Sequence, residues 1–414
     1  MKRYESYKDS GVKWLGEIPG HWDVRKIKYT FKERSQKGFP KLSLLSATQQ
    51  YGVIKKDDYE NRTVVATKGL DTLKLVCKND FVISLRSFEG GIEMSHEEGI
   101  ISPAYTILIP KKIEPSYFRH LGKTPVFINL LKMMVTGIRE GQNIDYNKLR
   151  TNLIPIPPKS EQTAIANYLD SITSKIDEAI SQQQKMIDLL NERKQIIIQN
   201  AVTKGLDPNA KMKDSGVEWI GEIPEDWERT YLKHIYVFEK GKNAQLYSSE
   251  YIGRNIGKYP VYSGQTENDG IMGYVNVCEY NIDECIFTTT VGAKVMTPRI
   301  LRGKFTLSQN CLIMIPKNKP HHNLYIFYVL SIIFRYMKSE IPSYMQPSLR
   351  ISDLNRISMY LPPYKTQIDI ANFLKQNLYK IDFSINMSNK MISLLQERKQ
   401  IIINDVVTGK VKVI

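Results

Sequence analysis

The stretch YKDSGVKWLGEIPGHW, Tyr7–Trp22, returns as MKDSGVEWIGEIPEDW, Met212–Trp227. Trp14 falls on Trp219 and Pro19 on Pro224, each 205 residues further on. Two more blocks keep that shift: PPKSEQTAIANYLD from Pro157 against PPYKTQIDIANFLK from Pro362, and MIDLLNERKQIII from Met186 against MISLLQERKQIII from Met391. Three blocks in one register mean a tandem duplication of the whole chain. The period is domain-sized, well beyond the few dozen residues of a solenoid repeat. Between the blocks the halves part. SLRSFEGG from Ser84 faces TTVGAKVM from Thr289, whereas SPAYTILIP (Ser102–Pro110) and SQNCLIMIP (Ser308–Pro316) keep one strand-like pattern. One scaffold is copied twice and carries two different sets of loops.

The chain has 414 residues, with 58 Lys plus Arg against 43 Asp plus Glu and a formal net charge of +15. That length holds two to four domains with cores of their own. A basic excess spread along the chain suits a polyanion such as nucleic acid; a merely solvated basic surface is the bland alternative. No apolar run reaches bilayer length, so no membrane partner is expected. The opening MKRYESYKDSG lacks an apolar signal core, and a cytoplasmic location is expected. Cys77, Cys278, Cys285 and Cys311 form no CxxC pair. Reduced structural thiols are expected, rather than zinc ligands or disulfides.

The repeat divides the chain into six segments. Residues 1–22 form an arm, 23–156 a globule and 157–205 a long helix; 206–227 repeat the arm, 228–360 form the second globule, and 361–414 the second long helix and tail. In the first globule, Thr72–Leu85 and Ala104–Ile109 read as β-type runs, and Ser116–Met134 as a helix. In the second, Tyr259–Ser263, Cys285–Thr290 and Phe305–Ile315 read as strands, with a helix around Asn323–Lys338. After Pro157–Pro158, with Ser160 as N-cap, a helical pattern runs to Lys204 and stops at Gly205. Its apolar residues (Ile165, Leu169, Ile172, Ile176, Ala179, Ile187, Leu190, Ile197, Ala201) step by threes and fours. Roughly 44 residues at 1.5 Å make a rod of roughly 66 Å. No globule of this size needs such a rod for its own core, so its stripe must meet another long helix. Ile370, Leu374, Ile381, Ile385, Ile392, Leu395, Ile402 and Val406 supply it.

The expected fold class is therefore α+β: two pseudo-symmetric mixed α/β domains joined by two long antiparallel coiled-coil helices. This pairing places the globules at opposite ends and brings the end of the second helix back to the N-terminus. The doubled phrase becomes the joint between rod and globule, anchored by Trp14, Ile18, Pro19 and Trp22, and again by Trp219, Ile223, Pro224 and Trp227.

The doubled DSGVKWLGEIPGHW phrase, the block IPIPP…EQTAIANYLD…KID…LLNERKQIII and its copy YLPP…TQIDIANFL…KID…LLQERKQIII resemble the specificity subunits of type I restriction-modification systems. The likeness covers essentially the whole chain. SLRSFEGGIEMSHEEGIISPAYTIL (Ser84–Leu108) is similar to a target-recognition segment of that family. The resemblance implies a non-catalytic subunit whose two globules are target recognition domains, each reading one half of a split, asymmetric sequence in double-stranded DNA. It implies that the helices are a ruler fixing the gap. The implied partners are two modification subunits that methylate adenine with S-adenosylmethionine, and motor-nuclease restriction subunits that use ATP and magnesium. None of these cofactors is expected on this chain.

The sequence holds no GxxxxGK[ST] loop and no GxGxxG after a strand. LPPY, Leu361–Tyr364, imitates the [DN]PP[YFW] signature of adenine methyltransferases, but Leu361 cannot accept the target amino group's hydrogen bond. A proline pair that ends a globule and opens a helix explains both copies. His321–His322 lacks ligand-spaced partners and reads as a surface loop, not a metal site. No catalytic residue is expected. The alternatives are a standalone DNA-modifying enzyme and a two-headed DNA-binding regulator.

Arg and Lys read guanine, Asn and Gln read adenine, and Lys, Ser and Thr often hold phosphates. On those grounds the first globule offers Ser84, Arg86 and Ser87, with Gly90 and Gly91 allowing close backbone approach; a strand-end turn with a salt-bridged arginine is the alternative reading. The loop TGIREGQNIDYNKLR adds Arg139, Gln142 and Asn143. The second globule offers Ser263, Gln265, Asn268, Thr289, Thr290, Lys294, Tyr344, Gln346, Ser348 and Arg350. Glu192, Arg193 and Lys194, repeated as Glu397, Arg398 and Lys399, are candidates for docking two identical partners; solvated helix faces are the alternative.

Overall fold

The computed structural model describes residues 2–49, 51–58, 69–136, 143–265, 267–292, 294–317 and 321–413. They form two compact units: Met1–Gln184 with Ser388–Ile414, and Lys185–Met387.

In the first unit, strand Asp23–Lys26 pairs antiparallel with Leu153–Ile156 and so closes the globule where the chain enters and leaves it. Between them lies a four-stranded antiparallel sheet in the order Phe31–Arg34, Thr106–Pro110, Phe81–Ile83, Glu93–Met94. Two helices cover it, α1 (Pro115–Leu121) and α2 (Pro125–Met133). The sequence suggests one helix here. Pro125 divides it, because proline lacks the N–H that an interior turn needs. Thr124 caps the new start, its Oγ1 accepting from the Phe127 N–H at 3.3 Å. Phe31, Phe81, Phe118 and Phe127 meet edge to face or tilted in the core.

The second unit repeats the closing ladder at the same shift: Glu228–Tyr231 pairs with Ser358–Leu361. Its interior differs. A six-stranded sheet runs Tyr236–Lys240, Cys311–Pro316, Tyr280–Thr289, Arg299–Leu307, Ile256–Tyr262, Ile271–Val275. The run Phe305–Ile315 is not one strand. It breaks at Ser308–Asn310, where Asn310 turns the chain at a φ of 60°, and both resulting strands flank Tyr280–Thr289. Helix α4, Asn323–Ser339, packs beneath with Tyr325, Leu330 and Phe334 fully buried.

The two long helices are α3, Lys159–Lys204, and α5, Tyr364–Val407. Helix α3 starts at Lys159, so Ser160 lies inside the first turn rather than at its cap. The start is pinned by Gln162, which is buried. Its Nε2 donates to the Pro157 carbonyl at 2.7 Å, and its Oε1 accepts from the Glu114 N–H at 2.8 Å. Gln367 does the same for α5, to the Pro362 carbonyl at 2.9 Å and from the His322 N–H at 2.9 Å.

The helices pair antiparallel. Lys194 meets Asp382 in the second unit, and Lys399 meets Asp177 in the first. In the first unit, Ile165, Leu169 and Ile176 of α3 share a core with Ile402, Val406 and Val407 of α5. In the second, Ile198, Ala201 and Val202 share one with Ile370, Leu374, Leu378 and Ile381. The coiled-coil stripe read from sequence is thus part of each unit's own core. At about 25 cal/mol per Å² of apolar area removed from water, that burial is the main support of both helices.

The doubled phrase forms a β-hairpin in each copy: Tyr7–Asp9 with Glu17–Pro19, and Met212–Asp214 with Glu222–Pro224, in equivalent register. Ile18, Trp22, Ile223 and Trp227 are buried. Each hairpin receives a helix end. Gly205 follows α3 at a φ of 72° and lies against Trp227 and Pro224; Gly409 follows α5 at 78° and lies against Pro19 and Trp22. A Cβ on Gly409 would stand 2.3 Å from Pro19 Cδ, so only glycine fits this left-handed stop. The Lys412 N–H then donates to the Lys2 carbonyl at 2.9 Å. The second helix does return to the N-terminal arm.

Candidate nucleic-acid interface and partner-docking faces

In the first unit, SLRSFEGG leaves the sheet after Phe81–Ile83 and makes one helical turn, Ser87–Gly90. Ser87 is buried, with its Oγ accepting from the Ser84 N–H at 2.9 Å. Of the candidates in this loop Arg86 is exposed, as are its neighbours Leu85 and Glu89, and Ser84 is partly exposed. The glycine pair does allow a close approach, but inside the protein. A Cβ on Gly91 would stand 2.3 Å from the Gly122 carbonyl oxygen, and one on Gly90 would meet the Gln49 side chain at 2.6 Å. Gly91 therefore seats the loop on the α1–α2 turn, and Gly90 seats it against Gln49. Behind the loop, Lys123 Nζ lies 2.7 Å from the buried Glu93 carboxylate and donates to the Gln49 carbonyl at 2.9 Å. Burial pushes the Glu93 carboxyl up to about 7, against the pull of Lys123. Asn143 is exposed in a short ladder, Val135–Thr136 with Asn143–Ile144. Arg139 and Gln142 lie outside the described residues.

In the second unit, the three candidate loops come together. The Leu349 N–H donates to the Thr290 carbonyl at 2.9 Å, and Val291 bridges Ser348. A Cβ on Gly264 would meet Thr289 Cγ2 at 3.8 Å. Within this junction, Ser263, Thr289 and Thr290 are buried and hold the loops to one another. Gln265 is turned inward, its Nε2 donating to the Ile271 carbonyl at 2.5 Å. Tyr344, Gln346, Ser348 and Arg350 are exposed and Lys294 is partly so. Tyr344 is 86% exposed, and the Met345 N–H donates to the Pro342 carbonyl at 2.9 Å, which holds the loop tip in a turn. Asn268, Asp269 and Met296 sit at positive φ on two of the three loops. Backbone of that kind costs free energy and persists where surrounding contacts hold it.

Residue-by-residue reading missed two cation–ring pairings on the same sheet. Lys258 and Lys304 lie over the Tyr259 ring at 5.2 and 6.0 Å, and Arg299 over Tyr262 at 5.9 Å. The signal was present as alternation in GKYPVY and RILRGKF. Exposed cations beside a ring, as at Lys258, Tyr259 and Lys304, suit phosphates and base edges.

The helix faces are alike in the two units. Met186, Leu189 and Ile196 on α3 are each about half exposed, and so are Met391, Leu394 and Ile401 on α5, their counterparts at the shift of 205. Arg193 and Arg398 stand within these rows, exposed, beside exposed Glu192 and Glu397. Lys194 and Lys399 are different: both are engaged within the helix pair, Lys194 Nζ at 2.6 Å from Asp382 and Lys399 Nζ at 2.7 Å from Asp177.

The motifs that imitate chemistry have structural roles. Leu361 ends the ladder with Glu228, and the Pro362 carbonyl accepts from Gln367. The His322 N–H caps onto Gln367, burial lowers its imidazole below the ordinary value, and the His321 ring rests 5.1 Å from that of Tyr236. Burial pushes the Cys285 and Cys311 thiols up to about 12. Among the described residues, no three His, Cys, Asp or Glu side chains gather as a metal site would need, and no helix is long and apolar enough to cross a membrane.

The family model for the type I restriction modification DNA specificity domain matches this sequence twice, over residues 19–187 and 224–391. A Methanocaldococcus jannaschii protein, provisionally named type I restriction enzyme MjaX specificity subunit, is 27% identical over 98% of this chain and 98% of its own length. The type I restriction enzyme MjaVIII specificity subunit of the same organism is 28% identical, over 82% of this chain and 80% of its own. Among solved structures, a chain from work on assembly and conformational transition of the type I R-M system superposes with a TM-score of 0.72, at 14% identity, covering 95% of this chain and 99% of its own. The HsdS subunit of Thermoanaerobacter tengcongensis gives 0.52 at 14% identity, covering 95% and 98%. At these identities the two structures speak to the fold.

Proposed function

The chain belongs to the type I restriction modification DNA specificity family and carries two copies of its domain; from that premise we propose that it is the non-catalytic reader of a type I restriction-modification complex. Globules 23–156 and 228–360 act as target recognition domains, each taking one half of a bipartite, asymmetric target in double-stranded DNA. One contrast carries this reading. The joints, the closing ladders and the exposed helix rows are the same in the two units, whereas the enclosed sheets have four strands in one and six in the other. Like parts suit like partners, and unlike parts suit unlike half-sites.

In the first globule, Arg86 and Asn143 are the exposed candidates for base or phosphate contact. In the second, they are Tyr344, Gln346, Ser348 and Arg350, with the partly exposed Lys294, and Lys258 and Lys304 on the sheet. Ser87, Gly90, Gly91, Ser263, Thr289 and Thr290 support these loops from behind. The net charge of +15 supplies attraction to the phosphate backbone that weakens with salt. Base-edge contacts then discriminate.

The rows Met186–Ile196 and Met391–Ile401 each seat one modification subunit, with Arg193 and Arg398 at their centres. S-adenosylmethionine, ATP and magnesium act on the modification and motor-nuclease subunits, not on this chain. The helix pair sets the gap between half-sites, and the assembly works in the cytoplasm.

The test is a map of methylated adenine across a genome, with and without this chain, co-expressed with its modification subunit. A single split, asymmetric motif that appears only with the chain supports the reading. An unchanged map contradicts it and favours the DNA-binding regulator.

A further inference from the structure

Between the last covering helix of each globule and its closing ladder, the chain makes one loop and one short helix. In the second unit the loop runs from the end of α4 to the short helix Ile351–Arg356; in the first it runs from the end of α2 to the short helix Tyr146–Leu149. At the shift of 205, Leu349 falls on Ile144 and Leu354 on Leu149, and all four are buried. The scaffold is therefore shared up to the loop, and the loop itself is not. Where the first half has GIREGQ (137–142), charged and begun by glycine, the second has PSYMQP (342–347).

The tip of the second loop is apolar, exposed and held. Tyr344 is 86% and Met345 53% exposed, and Tyr344 is the most exposed large apolar side chain among the described residues. The Met345 N–H donates to the Pro342 carbonyl at 2.9 Å, and the Leu349 N–H to the Thr290 carbonyl at 2.9 Å. Ile341 packs against the core of the unit, and Pro342 and Pro347 fix φ on either side of the tip. Much of the loop's ordering is thus complete in the free chain, which lowers the cost of binding through it. Gln346, Ser348 and Arg350 are exposed beside the tip, and residues 341–350 contain no Asp or Glu. An apolar point among donors and a cation, with no carboxylate, fits a ligand that is anionic outside and apolar and flat inside. Stacked base pairs behind their phosphates have that character. Methionine and other apolar side chains can enter between base steps as wedges, and aromatic rings stack on bases.

Resting on the proposed function above, we propose that Tyr344 and Met345 form a wedge that opens one base step at the half-site of the second globule. Tyr344 stacks on the exposed base and Met345 fills the opened step, while Arg350 and Ser348 hold neighbouring phosphates. The cost of opening depends on the step and is least at flexible pyrimidine–purine steps. The wedge therefore adds specificity without reading a base edge. The first globule carries Arg139 and Glu140 at the corresponding places and reads its half-site without a wedge.

The test uses the full chain with its modification subunit, on duplexes bearing the split motif found by methylation mapping. The half-site of the second globule is the half left unchanged when residues 23–156 are exchanged. 2-Aminopurine replaces one base at a time in both half-sites, away from the methylated adenines. The wild type is expected to raise fluorescence severalfold at one step, in the second globule's half-site alone. Tyr344→Ala with Met345→Ala removes that signal and weakens binding about tenfold, whereas Tyr344→Phe keeps both. A mismatch at the step lowers the cost of opening; it tightens the wild type severalfold and leaves the double alanine variant unmoved. The graft Tyr344→Arg with Met345→Glu, which installs what the first half carries, serves if the alanine variant fails to fold. No responding step in the wild type, a signal that survives loss of both side chains, or equal gains from the mismatch in wild type and variant would overturn the inference. So would a variant that loses the modification subunit and not the DNA, which would assign the tip to a protein contact. A wild-type complex that does not bind the motif duplex at all would overturn the proposed function itself.

Discussion

Lys194 Nζ stands 2.6 Å from Asp382 Oδ1, and the same ion pair recurs at 2.7 Å between Lys399, 205 residues after Lys194, and Asp177, 205 residues before Asp382. Each pair joins α3 to α5 in one of the two units. Asp382 is about half exposed, so solvent screens the attraction. The pair is better seen as a register mark than as a main support. Asp382→Asn is expected to cost about 0.5–1 kcal/mol in the second unit. The charge exchange Lys194→Asp with Asp382→Lys is expected to recover most of it. A double-mutant cycle by denaturant unfolding measures the coupling; a coupling of zero would remove the register role.

A larger loss follows from the helix starts. Gln162 and Gln367 are buried and each joins a proline carbonyl to a backbone N–H of its own globule. Alanine at either position leaves both groups unpaired away from water, at about 1–3 kcal/mol. Gln367→Glu removes the donor to Pro362 and is expected to be worse. Urea midpoints, read with unchanged slopes, give the answer.

The exposed rows should matter to assembly and not to folding. Leu189→Glu and Leu394→Glu place a charge where the free chain has water. Thermal midpoints are expected to stay within about 1 °C to 2 °C, since exposed sites change stability little. Modification-subunit binding in a pull-down is expected to fall at least about tenfold for each site altered. Normal binding by the double variant would move the docking face elsewhere.

Stability should also depend on pH through Glu93. Its folded carboxyl is raised to about 7 by burial, from an ordinary value of 4.5. Between those values the folded state holds a proton that the unfolded state has lost. Stability from this group is therefore greatest below about pH 4.5 and falls as pH rises toward 7, by an amount on the order of 2 kcal/mol. Glu93→Gln removes the decline, so the variant gains on the wild type as pH goes from 5 to 8. Parallel melting curves across that range would contradict the burial assigned to the carboxyl.

Much of this architecture was legible because duplication repeats its signals. The joints showed in Trp14 with Trp219 and Trp22 with Trp227, and the coil in two apolar stripes, the first ending at Gly205. What escaped was governed by contacts remote in sequence. The partners of Gln162 and Gln367 are the backbones of Glu114 and His322, which lie 48 and 45 residues away, so no local pattern announces them. The division of α1 from α2 turned on a single proline and its capping threonine. Among candidate contacts, residue type alone could not separate Arg86, which projects, from Ser87 one position on, which is buried. Nor could it show that Thr289 and Thr290 support a loop whose exposed tip is Tyr344.

The central claim is that one chain carries two independent readers. The most direct measurement exchanges residues 23–156 for the corresponding globule of another family member and maps methylated adenine with the same modification subunit. One half of the split motif should change, while the other half and the spacing stay as they were. A change in both halves, or in neither, would contradict the account.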